Sequence, residues 1–224
     1  MRRLELRKVL WALFGFMWIG GVISGGVSPQ MPWAAPLFLV VAGALTIYEH
    51  RAEWKSLVLA GAIGVAFELV GVHTGLPFGR YAYTNTLAPV VFGVPPAIAF
   101  AWLILIDLVR GLTGSAMAGA LLMAAIDLVI DPLAAGPLRY WKWFDGGPYY
   151  GIPTLNFVGW VVASLVILVV LPKGERRMAW VGWAVVAFFA VMAFEFRLWG
   201  PGVIGCLMVG GVGLWNRPSH RGQS

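Results

Sequence analysis

The sequence predicts an all-α fold: a polytopic transmembrane bundle of about eight helices, one integral-membrane domain over residues 1–224, with N-terminus and C-terminus both cytoplasmic. Three observations carry this. Hydrophobic residues supply 60% and charged residues 12% of the 224-residue chain, with a mean hydropathy of +0.81, outside the composition of a soluble globular domain. Apolar segments of the length needed to cross a ~30 Å hydrocarbon core, about 20 helical residues, recur from one end to the other. The 16 Lys and Arg lie mostly between those segments, so the net charge of +6 speaks for topology rather than for a nucleic-acid partner.

The spans follow in order. Residues 9–27 form the first, behind a basic leader, MRRLELRKVL. No small-residue cleavage site gives way to a soluble chain, so this segment reads as a retained helix. Residues 33–48 come next and are short for a crossing. Residues 56–73, 88–109, 115–133, 154–171 and 178–196 are longer, and 201–215 is again short; the second and last spans are the two open to tilt or re-entry. With the N-terminus inside, only Arg80, Arg139, Lys142 and Arg197 fall on the outer side, and the other Lys and Arg, Arg217 and Arg221 included, fall on the inner. That asymmetry is the positive-inside pattern. Cys206 is the single cysteine, which excludes an intramolecular disulfide and a thiolate metal site within one chain. Gly21 and Gly25 have the small-xxx-small spacing of close helix packing, the ordinary reading for them.

Acidic residues divide into two groups. Glu5, Glu49, Glu53 and Glu175 stand beside Lys or Arg on the inner side, where a solvated surface role is expected. Asp107 has Arg110 three residues on, enough for a local ion pair. Glu68, Asp127, Asp131 and Glu195 instead fall in the outer halves of apolar spans, and Asp145 in an outer loop. An ionised carboxylate deep in a bilayer costs about 2.5 to 3.5 kcal/mol even on lenient insertion scales, so such groups face the bundle interior and serve a function by default. Four at one depth imply a shared cavity.

Asp127 and Asp131 sit in IDLVIDP, residues 126–132. Residues four apart share a helical face with Cβ atoms about 5 to 6 Å apart. Two carboxyls so close in a low dielectric cannot easily both ionise, so one of the pair is expected to hold a proton near neutral pH, as a general acid must. Pro132 lacks an N–H and disfavours helical backbone at Asp131, so the helix ends or kinks there. Two structural readings stay open beside this one: Asp131 as a helix terminator, and Asp127 paired with Arg80, Arg139 or Lys142.

The outer loops are crowded with aromatics. One runs HTGLPFGRYAY over 73–83 and the other PLRYWKWFDGGPYYGIPTLN over 137–156. An interfacial belt accounts for Trp33, Trp199 and Trp215. Trp141, Trp143, Tyr149 and Tyr150 are packed too tightly among turn residues for that, and aromatic faces attract cations by up to about 2 kcal/mol or more when desolvated. Such a lining suits a carbocation. His73 stands alone near this cluster, as a helix-end or hydrogen-bonding residue, and His50 and His220 belong to the inner side, so no histidine metal centre is expected. No P-loop, dinucleotide fingerprint or serine nucleophile elbow is present.

Three blocks, FELVGVHTGLPFGRYAY over 67–83, IDLVIDP over 126–132 and YWKWFDGGPYYGIPTLNFVGW over 140–160, occur in this order. Together they resemble the integral-membrane carotenoid biosynthesis proteins typified by the carotenoid hydratases of the bacterioruberin and deinoxanthin pathways. The likeness covers the motif-bearing core, residues 67–160; the first two and last two spans match in hydrophobic character only. It implies addition of water across the terminal C1=C2 bond of an acyclic carotenoid end group, of the lycopene, monocyclic carotene or bisanhydrobacterioruberin kind, giving a tertiary alcohol. It implies no organic cofactor. It also implies a carotenoid substrate within the bilayer, water as co-substrate, other membrane enzymes of the same pathway as neighbours, and an inner-membrane location with the site toward the extracytoplasmic side.

The expected chemistry is acid-catalysed hydration, with Asp127 and Asp131 as acid and partner and Glu68 orienting or deprotonating water. Tyr81, Tyr83, Trp141, Trp143, Tyr149 and Tyr150 would surround the cation. Asn156 would hold the water, Arg80 would set the charge of the carboxyls, and Trp160 completes the substrate-binding set. An end-group cyclase, a proton-coupled transporter and a non-catalytic pigment-binding protein are the rival readings.

Overall fold

The computed structural model describes residues 2–25, 31 and 33–215. Val27, Arg217, His220 and Arg221 lie outside the described residues, as does the side chain of Trp215. Eight α-helices occur among the described residues: α1 Arg2–Ile23, α2 Ala34–Glu49, α3 Trp54–Thr74, α4 Ile98–Leu112, α5 Ala116–Ala135, α6 Thr154–Val170, α7 Trp180–Glu195 and α8 Trp199–Trp215. The segments Leu4–Ile23, Arg51–Thr74 and Ala116–Ala135 are long and apolar enough to cross a membrane; α2, α6, α7 and α8 are shorter and apolar.

The helices match the drafted spans to within about two residues at each end except in the first, where α1 runs Arg2–Ile23 against a drafted 9–27, and in the fourth. That span was drawn from residue 88, but Pro89, Pro95 and Pro96 keep residues 88–97 out of the helix, and α4 begins at Ile98. Each proline removes a donor and biases the residue before it away from helical backbone. The helix does not end at Pro132: α5 runs through it to Ala135.

α4 is the axis of the bundle, packed against α2, α3, α5 and α7 and buried without interruption from Trp102 to Gly111. Gly64 makes the contact with α3 possible, because a Cβ there would lie 2.2 Å from the Trp102 ring. α1 is peripheral and buries only Phe14 among its described side chains. It is fastened by Arg7 and Trp11 donating to Glu49 (2.6 and 2.9 Å) and by the Trp18 indole donating to the Ala184 carbonyl at 2.8 Å.

The connections after α3 and α5 meet at one end of the bundle as a two-stranded antiparallel ribbon, β1 Tyr81–Tyr83 and β2 Trp141–Trp143. Tyr81 stands opposite Trp143, Ala82 opposite Lys142 and Tyr83 opposite Trp141. Alternation along a strand puts the four aromatic rings on one face and Ala82 and Lys142 on the other. The sequence pattern YAY and WKW carries that alternation, though both segments read as loops on first inspection.

At the opposite, basic end, charges close on one another. Arg177 donates to Glu53 and, at 2.6 Å, to Asp107. Arg110 pairs with Glu53 at 2.9 Å, and His50 Nδ1 lies 2.8 Å from Asp107 Oδ2. The i,i+3 pair expected of Asp107 and Arg110 is not made: Asp107 turns to Arg177 and His50, and Arg110 turns to Glu53. Glu53 is accordingly part of a half-buried network and not a solvated surface group.

Candidate functional site

Glu68 on α3, Asp127 and Asp131 on α5 and Asn156 on α6 are buried together at the ribbon end. Every hydrogen bond described to these carboxyls comes from an uncharged donor. Glu68 Oε2 accepts from the Tyr81 and Tyr83 hydroxyls at 2.5 and 2.9 Å, and Oε1 accepts from the Trp102 indole at 3.1 Å. Asp131 Oδ1 accepts from the Trp141 and Trp143 indoles at 2.7 and 3.2 Å. The Asn156 amide nitrogen donates to Asp127 Oδ2 at 2.6 Å and to Asp131 Oδ2 at 2.7 Å, so one side chain spans the aspartate pair. An indole N–H can only donate, and each of these three finds a carboxyl oxygen. Both phenols are pushed above their ordinary range, first by burial and then by the neighbouring Glu68, which keeps them neutral donors.

Local sequence explains how the ribbon is held to α5. Pro132 has no N–H to offer the carbonyl of Leu128, four residues back. The Tyr149 hydroxyl supplies the missing donor at 2.9 Å. Burial pushes that phenol up to about 12, so it remains an O–H donor through the neutral range. The break that Pro132 threatens is thereby repaired by a residue of the aromatic loop, and Asp131 stays on a helical backbone.

A cavity of about 380 Å³ opens on these groups. Glu68, Asp131 and Asn156 are at its polar end, with Tyr81, Tyr83, Trp141, Trp143 and Trp160 around them. Among the described residues, neither Lys nor Arg lines it. The rings are mutually packed: Tyr81 lies 5.1 Å from Trp143 and Tyr83 5.8 Å from Trp141, and Trp160 stacks on Trp102 at 4.5 Å. An apolar, aromatic chamber with two carboxyls at one end can hold a hydrocarbon terminus and move protons at it.

Of the residues singled out in the sequence, Glu68, Asp131, Tyr81, Tyr83, Trp141, Trp143, Asn156 and Trp160 are brought to this cavity. Asp127 is not on its wall; it stands behind Asn156. Four others depart from expectation. Arg80 does not reach the buried carboxyls, being 71% exposed at its side chain and bonded to Asp145 at 2.6 Å. Asp145 is held below the usual carboxylate range by that guanidinium. Tyr149 braces α5, and Tyr150 is half exposed with its hydroxyl accepting from the Gly200 N–H at 3.3 Å. Glu195 is exposed at the end of α7 and does not join the other three acids. His73 bonds the Leu69 carbonyl at 2.8 Å, a helix-end role as expected. Trp102 was overlooked; its signal was an indole N–H in mid-span, which needs an acceptor that no nearby residue in the chain supplies.

Comparison with known proteins places this architecture among relatives. Residues 33–212 match the family model described as carotenoid biosynthesis protein. A bisanhydrobacterioruberin hydratase of Haloarcula japonica is 30% identical over 151 residues, covering 62% of this chain and 50% of that protein. The chain thus spans about half the length of the curated relative it matches. No solved structure matches.

Proposed function

From the premise that this chain belongs to the family of carotenoid biosynthesis proteins, we propose that it is a cofactor-independent carotenoid hydratase, adding water across the terminal C1=C2 bond of an acyclic carotenoid end. The observation that carries this is the pairing of Asp131 and Glu68 on one otherwise apolar, aromatic-walled cavity. Hydration needs an acid for carbon and a base for water, and here two carboxyls serve one small space.

Asp131 gives its proton to the less substituted alkene carbon. The π electrons form the new C–H bond, and a tertiary cation is left at the neighbouring carbon. Tyr81, Tyr83, Trp141, Trp143 and Trp160 face that charge. Water attacks the cation and loses a proton to Glu68, and return of that proton to Asp131 restores both groups with one water added overall. Asn156 aligns Asp131 with Asp127, so Asp127 is a positioning residue and does not touch substrate. The polyene lies between acyl chains with its end drawn toward the ribbon, on the extracytoplasmic side of the inner membrane.

Expression in a host that accumulates lycopene or a monocyclic carotene, followed by mass analysis of the pigments, tests this reading. Gain of the mass of one water per modified end is the expected result. Converted pigment of unchanged mass would make it an end-group cyclase, and retained but unaltered pigment would make it a binding protein.

A further inference from the structure

The cavity does not stop at the carboxyls. From their end it extends past Phe188 and Phe38 to a wall made by α1, where Phe16, Met17, Gly20, Gly21 and Ser24 line it. Phe16, Gly20 and Ser24 are exposed, and Met31 and Trp33, which flank the start of α2, are 42% and 55% exposed. The cavity therefore reaches the perimeter of the bundle between α1 and the start of α2, where a membrane protein meets acyl chains. Its size is informative too. At 380 Å³ it lies at the small end of the roughly 300 to 1,000 Å³ range of ligand pockets, which suits one end of a long polyene and not the whole of it.

We propose that the gap between α1 and α2 is a lateral port through which one end of an acyclic polyene enters from the lipid, with Gly20 keeping it open and the rest of the polyene left lying outside against α1. This rests on the hydratase reading for the identity of the polyene, but not for the existence of the port. α1 falls outside the residues that match the family, so this wall is a contribution of the chain beyond the matched segment. The peripheral packing of α1 suits a port. It is fastened near its start by Arg7 and Trp11 and once more by Trp18, within the half that borders the cavity.

Two glycines make a matched test. Neither Gly20 nor Gly15 has any atom within 4 Å of where a Cβ would stand, so both tolerate a side chain, but only Gly20 lines the cavity. Gly20→Phe is expected to lower both hydrated product and pigment co-purified per protein at least tenfold, while Gly15→Phe stays within twofold of the parent. Equal pigment and product in the two variants would overturn the port. Should Gly20→Phe fail to accumulate in membranes, Gly20→Cys and Gly15→Cys in a Cys206→Ala background give a second readout. Lycopene in detergent micelles is expected to slow alkylation of Gly20→Cys about tenfold and leave Gly15→Cys unchanged. No slowing, or equal slowing by phospholipid alone, would overturn the proposal. Protection of Gly20→Cys by lycopene, with a parent protein that adds no water, would end the hydratase reading and leave the port standing; normal hydration with unaffected Gly20 variants would end the port alone.

Discussion

At the basic end of the bundle, Glu53 and Asp107 are met by Arg110, Arg177 and His50. At the ribbon end, Glu68, Asp127 and Asp131 are met by three indoles, two phenols and one amide, none of them charged. Both ends bury acidic groups, but only the first neutralises them. Ion pairs of the first kind tie the segment after α2, α4 and the segment before α7 together. The second kind satisfies hydrogen bonds while leaving the charge balance to protons, which is the condition for proton transfer at a bound hydrocarbon. Burial is common to both ends; the identity of the donors is what differs, and on the proposed function it separates structural acids from reactive ones.

The sharpest way to break the comparison is to neutralise one acid at each end. Asp131→Asn and Glu68→Gln keep shape and are expected to lower hydrated carotenoid about 10² to 10⁴-fold, the usual loss of a general acid or base, with thermal stability in detergent close to the parent. Asp127→Asn, one residue removed from the cavity, is expected to lose clearly less. Parent-level product from Asp131→Asn would remove the ribbon end from the chemistry. Next in size, Asp107→Ala takes away one of the two carboxylates on Arg177, leaving Glu53, and removes the carboxylate beside His50; it is expected to destabilise by less than the about 3 to 5 kcal/mol of a fully broken buried pair, while protein that does fold turns over normally. A loss of turnover without loss of stability there would erase the distinction between the two ends.

How much of this was legible in the sequence differs in the same way between regions. The helices were, because long, mostly apolar runs have few alternatives, and α4 was misdrawn only where three prolines should have shortened it. The Asp127 and Asp131 pair and the aromatic loops were legible because polar groups in an apolar run are conspicuous. Pairings across the fold were not. Arg80 was assigned to the carboxyls from its motif position, yet the partner 65 residues away, Asp145, is exposed and costs less to reach than a buried site. Glu195 was grouped with the others by depth, and depth says nothing about which face of α7 it occupies. Trp102 lies in a run of α4 with no polar neighbour before Asp107, so only the three-dimensional approach across Gly64 identifies it as a partner of Glu68.

Tyr149 tests a finer version of the contrast, since it acts on the site through backbone. Tyr149→Phe leaves the Leu128 carbonyl without a donor beside Pro132, an omission expected to cost about 1 to 3 kcal/mol and to lower product a few-fold, chiefly by letting Asp131 move. Tyr149 is removed from the cavity, so the pH dependence of the remaining activity should match the parent; a changed profile would mean that the phenol itself takes part.

The smallest effect is expected where sequence and structure disagree most plainly. Arg80→Ala removes a cation from one of the two aromatic loops, yet its side chain faces outward and its carboxylate partner is Asp145. Product should stay within about twofold of the parent, in keeping with the modest worth of exposed ion pairs. The pair has a sign that can be checked separately. Because the Arg80 guanidinium holds Asp145 below its ordinary range, any stabilisation is present at neutral pH and lost in acid as Asp145 protonates. A small difference in Tm between parent and Asp145→Asn should therefore close as the pH falls, and added salt should shrink it at neutral pH. A large loss of product in Arg80→Ala would instead put a positive charge within reach of Asp131 and Glu68, and the ribbon end would then be neutralised by ion pairs like the other.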